Sequence, residues 1–450
     1  MSFSDSVYRP FETLVHPLDI PATPLPSSGP FALLRHFAAL FRGVLVAVAL
    51  LMIAVEGINL ATIWGISFVV DGVTASGAAA FLDKEWPTLA ILGVLIFPLL
   101  PVLIFLGNTL NSQAVAVCMP AAIQWQGHKA VEHQDLAFFH DLFAGQVAAR
   151  IAQVASAVQQ QIVVAFYQIP LFLVQFVGSL ALLGALCWPL ALPVFVWIVG
   201  NIALAVVAVP HFSERSRRTA RARSLIVGAM TDVYSNIQMV KLFAAEDSEA
   251  GAMRTFMATA IETQQRERRV HLTTDTAVIL LNTLLVLANF AIGFWGLVAG
   301  FVTIGQFVAS IAIVQRLSAN SRAFLQMGQQ IFQAVGTIRD AMPVVTTPPT
   351  IIDAPDAQPL RVTAGEVEFR NVHFAYRQGQ AVIEDLSLTV RAGEKVGLVG
   401  LSGAGKSTLV SLLLRFFELK DGTILIDGQD IRSVTQASLR ESIGVVTQEV

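Results

Sequence analysis

The clearest chemistry in this chain lies in Gly400-Leu401-Ser402-Gly403-Ala404-Gly405-Lys406-Ser407, which matches G-x-x-x-x-G-K-[ST] at every fixed position. Glycines at those positions let backbone N–H groups converge on phosphate oxygens. Lys406 reaches the β and γ phosphates, and the Ser407 hydroxyl is placed to meet Mg²⁺. The nucleotide-contacting set is therefore Gly400, Ser402, Gly403, Ala404, Gly405, Lys406, Ser407 and Thr408, with ATP or GTP as ligand. Such a loop works only between a strand and a helix. Lys395–Gly400 reads as a short buried strand and Ser407–Phe417 as the helix that follows it. From Gly400 to Val450 there are 51 residues, and a nucleotide-hydrolysing domain is expected to need more chain than that after its loop.

The elements ahead of the loop belong to a membrane. The chain is 54% hydrophobic and 14% charged, with mean hydropathy +0.64, whereas soluble domains are about a quarter charged. Stretches of about 20 uncharged residues span a bilayer as helices, and six are read: roughly 43–70, 87–107, 162–186, 190–210, 276–300 and 301–323. The last two form one uncharged block, so the chain must reverse near Gly300–Gly305. Arg316 in the sixth span is expected to snorkel at the cytoplasmic end. Asp71, Asp83, Lys84 and Glu85 fall on one side. Arg9, Arg35, Arg42, Lys129, Arg150, the Arg215–Arg223 cluster and Arg266–Arg269 fall on the other. The positive-inside rule then puts both termini and the phosphate loop in the cytoplasm, in a multi-pass protein of the plasma membrane, a bacterial inner membrane being the natural case.

No cleavable signal peptide is evident, and Phe31–Phe41 reads as an amphipathic helix on the inner membrane face. Residues 1–29, rich in proline, are expected to be extended or disordered. Cys118 and Cys187 fall at opposite membrane faces, so both are expected to be free. The net charge of −3 points to no partner, and the basic cluster is a topology signal with no nucleic acid implied.

The organisation that follows is a helical permease domain over 30–342, with long cytoplasmic loops at 119–161 and 211–274. A proline-rich linker covers 343–360, where Pro343 is expected to stop the helix. A soluble α/β region covers 361–450, with strands at Glu366–Phe374, Val382–Val390 and Gly422–Ile426.

Six spans, two long cytoplasmic loops and then a phosphate-loop domain resemble an ABC exporter half-transporter, in which the permease is fused ahead of an ATP-binding cassette. Val372-His-Phe-Ala-Tyr376 looks like the family motif that ends in an adenine-stacking aromatic, Tyr376. Asp421–Gly428, Ser438-Leu-Arg440 and Ile443–Gln448 resemble the path to the Q-loop. Gln448 is thereby implied as the Q-loop glutamine, contacting Mg²⁺ and the attacking water, with Ser407 as the other metal contact. Phe138-Phe-His-Asp141 with Gly145, and Asp232–Glu246, resemble the two coupling regions. The resemblance covers about 30–450 and implies ATP-driven export of an unidentified substrate by two half-transporters, a homodimer or a heterodimer, embedded in membrane lipid. In the family, a signature motif, a Walker B aspartate with its glutamate and a switch histidine follow, and none occurs in these 450 residues. The other reading is a non-hydrolytic fragment or degenerate subunit, its cassette incomplete after the Q-loop, that inserts in the membrane and at most binds ATP.

Within the spans, Glu56 and Asn59 share a helix face, as do Gln168 with Gln175 and Asn282 with Asn289. For the amides the plainer role is hydrogen bonding between helices. Glu56 is read as either such a contact or part of a transport path.

Overall fold

An apolar chain in hydrocarbon must satisfy its backbone internally, which leaves the helix as the economical solution for runs of this length. The computed structural model describes residues 3–21, 23–141, 144–376, 381–401 and 403–446. It divides into two units, Met1–Trp125 with Ala152–Met342, and Gln126–Ile151 with Pro343–Val450.

Among the described residues, four helices are long and apolar enough to cross a membrane: Arg42–Ser76, Ala78–Glu132, Gln146–Ser235 and Glu246–Ala299. The third is two helices in one run. Its backbone leaves helical geometry at Cys187 (φ −163°, ψ 106°), where Pro189 removes an N–H and crowds the preceding turn. The Phe176 and Trp197 rings, on either side of that break, lie 5.9 Å apart at 80°, so the two arms run side by side. A further helix, Ile304–Thr346, follows the turn at Gly300, which takes a left-handed conformation with φ 80°.

The turn is fastened twice. Thr303 and Gln306 form a reciprocal capping box, each backbone N–H donating to the other's side-chain oxygen at 3.1 Å. Asp71, at the far end of the first long helix, accepts from Thr303 Oγ1 and from Gly305 N, both at 2.7 Å. Only glycine fits at 305, because a Cβ there would sit 2.3 Å from the Ser67 carbonyl oxygen.

The helices pack around Leu183, Leu190, Val194, Trp197, Ile313 and Leu317. Polar groups cross-link this apolar bundle. Asn282 accepts from Trp197 Nε1 at 2.9 Å and donates to Ser321 Oγ at 2.9 Å. Asn289 accepts from Ser310 at 2.9 Å, and Gln175 from Asn320 at 3.3 Å. Asn282, Asn289 and Gln175 thus take the helix-joining role. Arg316 does not snorkel. Its guanidinium donates to Glu56 at 2.5 Å, and Glu56 is 2% exposed and also accepts from Asn59 at 3.5 Å. A buried carboxylate competes better for the guanidinium than a distant headgroup region does, because each charge leaves the other uncompensated if they part.

Two expectations for helix ends change. Phe3–Glu12 is helical rather than extended, and Tyr8 packs against Phe105 with ring centroids 6.0 Å apart. Pro343 lies inside the helix that ends at Thr346. Pro343 forgoes the bond that a backbone N–H would make four residues back, the helix continues only to Thr346, and the Thr347 N–H closes the last turn on the Pro343 carbonyl at 3.1 Å.

The second unit holds a four-stranded antiparallel sheet in the order β2-β1-β3-β4, with β1 Val367–Ala375, β2 Ala381–Val390, β3 Asp421–Ile426 and β4 Gln429–Asp430. Phe369, Val372, Phe374, Ile383, Leu412 and Ile424 form its core. Lys395–Gly400 is not a strand. It is irregular and exposed, Val399 at 95%. Strand propensity needs a partner strand, and none of the described strands pairs with this run.

Candidate nucleotide-binding site

The phosphate loop takes its shape from glycines in conformations that other residues avoid. Gly403 and Gly405 both have φ 84°, and Gly400 has φ 159°. A Cβ on Gly405 would stand 3.3 Å from Val382 O and Cγ1 of β2, so the dihedral disfavours any side chain there and the space for one is tight. Gly405 caps the helix Lys406–Leu413, whose first N–H groups have no partner within the helix and face the loop. Such an N-terminus favours anions through its unpaired N–H groups and its dipole.

Lys406 closes the loop from within. Its ammonium donates to the carbonyls of Gly400 and Leu401, each at 2.8 Å. Ser407 follows it in the first helical turn. Thr408 is buried, and its hydroxyl is 3.0 Å from that of Tyr376. The Tyr376 ring stands edge-on to Phe374 (4.9 Å, 83°) and to Phe417 (5.2 Å, 88°) while remaining 45% exposed. The aromatic just past β1 and the loop, 24 residues apart in sequence, are thus tied into one local structure. Gly400, Gly403, Ala404, Gly405, Lys406, Ser407, Thr408 and Tyr376 come together; Ser402 and Gln448 lie outside the described residues. This cradle fits the triphosphate of ATP: two left-handed glycines, an ammonium, a helix N-terminus and a hydroxyl for the accompanying Mg²⁺.

The loop helix ends at Leu413 rather than Phe417. Arg415 enters the left-handed region at φ 51°, and Phe416 N closes back on Ser411 O at 2.9 Å, a helix-terminating pattern usually built on glycine. The arginine accepts the strain because its side chain is held. It donates to Ile352 O at 3.1 Å and to Glu418 at 3.0 and 3.1 Å.

Two aspartates that support this unit escaped the motif reading. Asp427 accepts from the backbone N–H groups of Thr363, Ala364, Gly365 and Glu366 at 2.6 to 3.1 Å. Those bonds, Thr363's foremost, hold its carboxyl well below the usual carboxylate range. Asp135, beside the first coupling region, accepts from Thr350 N at 2.6 Å, Thr350 Oγ1 at 2.5 Å and Ile351 N at 3.2 Å. The signal for Asp427 was the turn Ile426-Asp427-Gly428; for Asp135 no local signal exists, since its partners lie more than 200 residues on.

Two family profiles match the chain: the ABC transporter transmembrane region over residues 45–320 and the ABC transporter cassette over 383–450. An uncharacterized ABC transporter ATP-binding protein of Haemophilus influenzae is 37% identical over 345 residues, covering 77% of this chain and 56% of its own length. The mitochondrial iron-sulfur clusters transporter atm1 of Neurospora crassa is 32% identical over 58% of this chain and 37% of its own length. A bacterial Atm1-family ABC exporter solved with ATP bound superposes with TM-score 0.76 at 23% identity, over 91% of this chain and 72% of that one. The chain spans about half the length of the curated relatives it matches. With membrane helices leading into a phosphate-loop unit, and a transmembrane profile matched over more than half its residues, the chain belongs to the ABC transporter family.

Proposed function

We propose that this chain acts as one half of an ATP-driven exporter in the plasma membrane, paired with a second half-transporter and carrying a substrate whose identity stays open. The permease would span 30–342 with six crossings and both termini in the cytoplasm. The linker would cover 343–360 and the cassette would begin at 361. ATP would sit with its adenine on Tyr376 and its phosphates in the Gly400–Thr408 loop, and Mg²⁺ between Ser407 and Gln448. Nucleotide binding would draw two cassettes together and turn the cavity outward, with hydrolysis resetting it.

The observation that carries this reading is the placement of Lys406 inside a glycine-shaped loop at a helix N-terminus, in the same chain as the membrane helices. One experiment tests site and orientation together. A membrane-impermeant azido-ATP should label the protein in inverted vesicles and leave it unlabelled in sealed right-side-out vesicles. Lys406→Ala should cut the labelling about a hundredfold, the worth of a strong charge-assisted contact of about 2.7 kcal/mol. Equal labelling of variant and wild type would sink the site, and labelling of right-side-out vesicles the orientation.

A further inference from the structure

We propose that Arg415 is a relay residue: phosphate binding at the loop draws its side chain onto Asp353 of the linker, and Asp135 carries the change to the first long loop. The inference rests on the nucleotide site proposed above and adds a path by which that site is felt elsewhere in the chain. All the residues involved belong to one unit, Gln126–Ile151 with Pro343–Val450.

The path is continuous in hydrogen bonds. Arg415 stands two residues beyond the helix Lys406–Leu413, a rod of about 12 Å at 1.5 Å per residue. Its Nη2 donates to the Ile352 carbonyl at 3.1 Å. Immediately before Ile352, the N–H groups of Ile351 and Thr350 donate to Asp135 at 3.2 and 2.6 Å, and Gln134 donates to the Thr347 carbonyl. Arg440 holds the other side, donating to the carbonyls of Leu414 and Arg415, both at 3.2 Å, and to Gln436 Oε1 at 2.8 Å. Gln436 in turn donates from N and Nε2 to Asp353, both at 3.1 Å, and from Nε2 to Ile351 O at 3.2 Å. The linker is thus a strap held between the first long loop and the ends of two helices, Lys406–Leu413 and Gln436–Glu441.

Two features give Arg415 a second place to go. Its Nη1 is buried without a hydrogen-bond acceptor, and Asp353 Oδ1 lies 3.6 Å away, close enough for an ion pair and too far for a hydrogen bond. A buried donor left unsatisfied is costly, so an arrangement with that gap closed lies near in energy. Its backbone also sits at φ 51°, strain of the kind stored where a structure switches. The impulse comes from the other end of the helix. Lys406 donates to the carbonyls of Gly400 and Leu401, and phosphate oxygens would draw the ammonium off them, shifting the first helical turn. A helix of two turns moves as a body, and Arg415 moves with it.

Hydrogen exchange on the full chain in nanodiscs, with and without saturating Mg-ATP, reads both ends of the path. ATP should slow exchange at 406–413, where it binds, and about fivefold at Thr350 and Ile351, the low end of measured couplings between sites. Arg415→Lys keeps the charge and loses the fork, while Asp353→Asn keeps the shape and loses the charge. Each should abolish the response at 350–351 and spare that at 406–413. Because coupling is reciprocal, Asp135→Ala should raise the ATP concentration for half-maximal protection of 406–413 by up to about fivefold, a shift that a residue merely bracing the linker would not cause. Arg370→Gln, at an exposed site on β1, should change neither response. Exchange without ATP identifies variants that remain folded, and the substitutions at 353 and 135 decide the matter if Arg415→Lys does not fold. Protection at 406–413 with none at 350–351 in the wild type would overturn the relay and leave the nucleotide site standing; protection at neither would remove both. A response at 350–351 that survives Asp353→Asn, or an ATP midpoint unmoved by Asp135→Ala, would also overturn the relay.

Discussion

At the phosphate loop, the groups that shape an anion site lie within eight residues, and backbone does most of the work: two left-handed glycines, a helix N-terminus and one lysine folded onto its own loop. In the membrane helices, the polar groups that meet are far apart in sequence. Glu56 and Arg316 are separated by 260 positions and Asn282 and Ser321 by 39. The difference follows from solvent. A site that must accept an anion from water can be built locally, because backbone N–H groups arrive wherever a helix begins. A charge inside hydrocarbon has no water to fall back on, so it persists only where tertiary packing delivers an opposite charge. Local sites can therefore be read as motifs, and buried pairs only as unexplained residues awaiting a partner.

The comparison is most exposed at Glu56. Glu56→Ala should cost about 3 kcal/mol of stability, because it strands the Arg316 guanidinium beside a buried position; the figure is at the low end since that arginine is partly exposed. Glu56→Leu combined with Arg316→Met should recover most of the loss. Thermal unfolding of the detergent-solubilised chain reads both, and a double variant as unstable as the single would show that the two residues do not act as a pair.

A smaller effect is expected at Tyr376, which in the proposed site comes from outside the contiguous loop. Tyr376→Ala should weaken ATP binding about fivefold, about 1 kcal/mol of stacking, while Tyr376→Phe keeps the ring and loses only the contact with Thr408. Competition against azido-ATP labelling ranks the two. Full binding by Tyr376→Ala would confine recognition to the loop.

The smallest effect, and the most sensitive to conditions, belongs to Asp427. Its folded carboxyl titrates below the ordinary range, so its contribution is present above the unfolded pKa of about 3.9 and fades as pH falls toward the folded value. Asp427→Asn should therefore lower hydrogen-exchange protection at Thr363–Glu366 near neutral pH, and the gap from wild type should close below about pH 4. A gap that widened on acidification would reverse the assigned sign.

Much of the fold was legible because it depends on local composition. Uncharged runs of membrane length, a Gly300–Gly305 reversal and alternating strands at 367–375 and 381–390 follow from hydropathy and backbone preference. Lys395–Gly400 misled for the opposite reason. Its residues favour a strand, but a strand exists only through its neighbour, and Val399 stands 95% exposed. Pro343 misled because the helix tolerates it and runs three residues further, to Thr346, and the sequence does not mark where the end will fall.

The sequence by itself determined the loop proposed to hold an anion, since G-x-x-x-x-G-K-[ST] specifies dihedrals and a charge without reference to the rest of the chain, and it determined that the remainder must enter a membrane. Only the tertiary structure decided that Arg316 faces Glu56 rather than a headgroup, that Asp135 clamps the backbone at Thr350 and Ile351, and that Asp71 holds the turn at Gly305. Each of those contacts joins residues more than 200 positions apart. Which carboxylate meets which donor over such separations depends on how the helices pack side by side, and no local property of the chain encodes that arrangement.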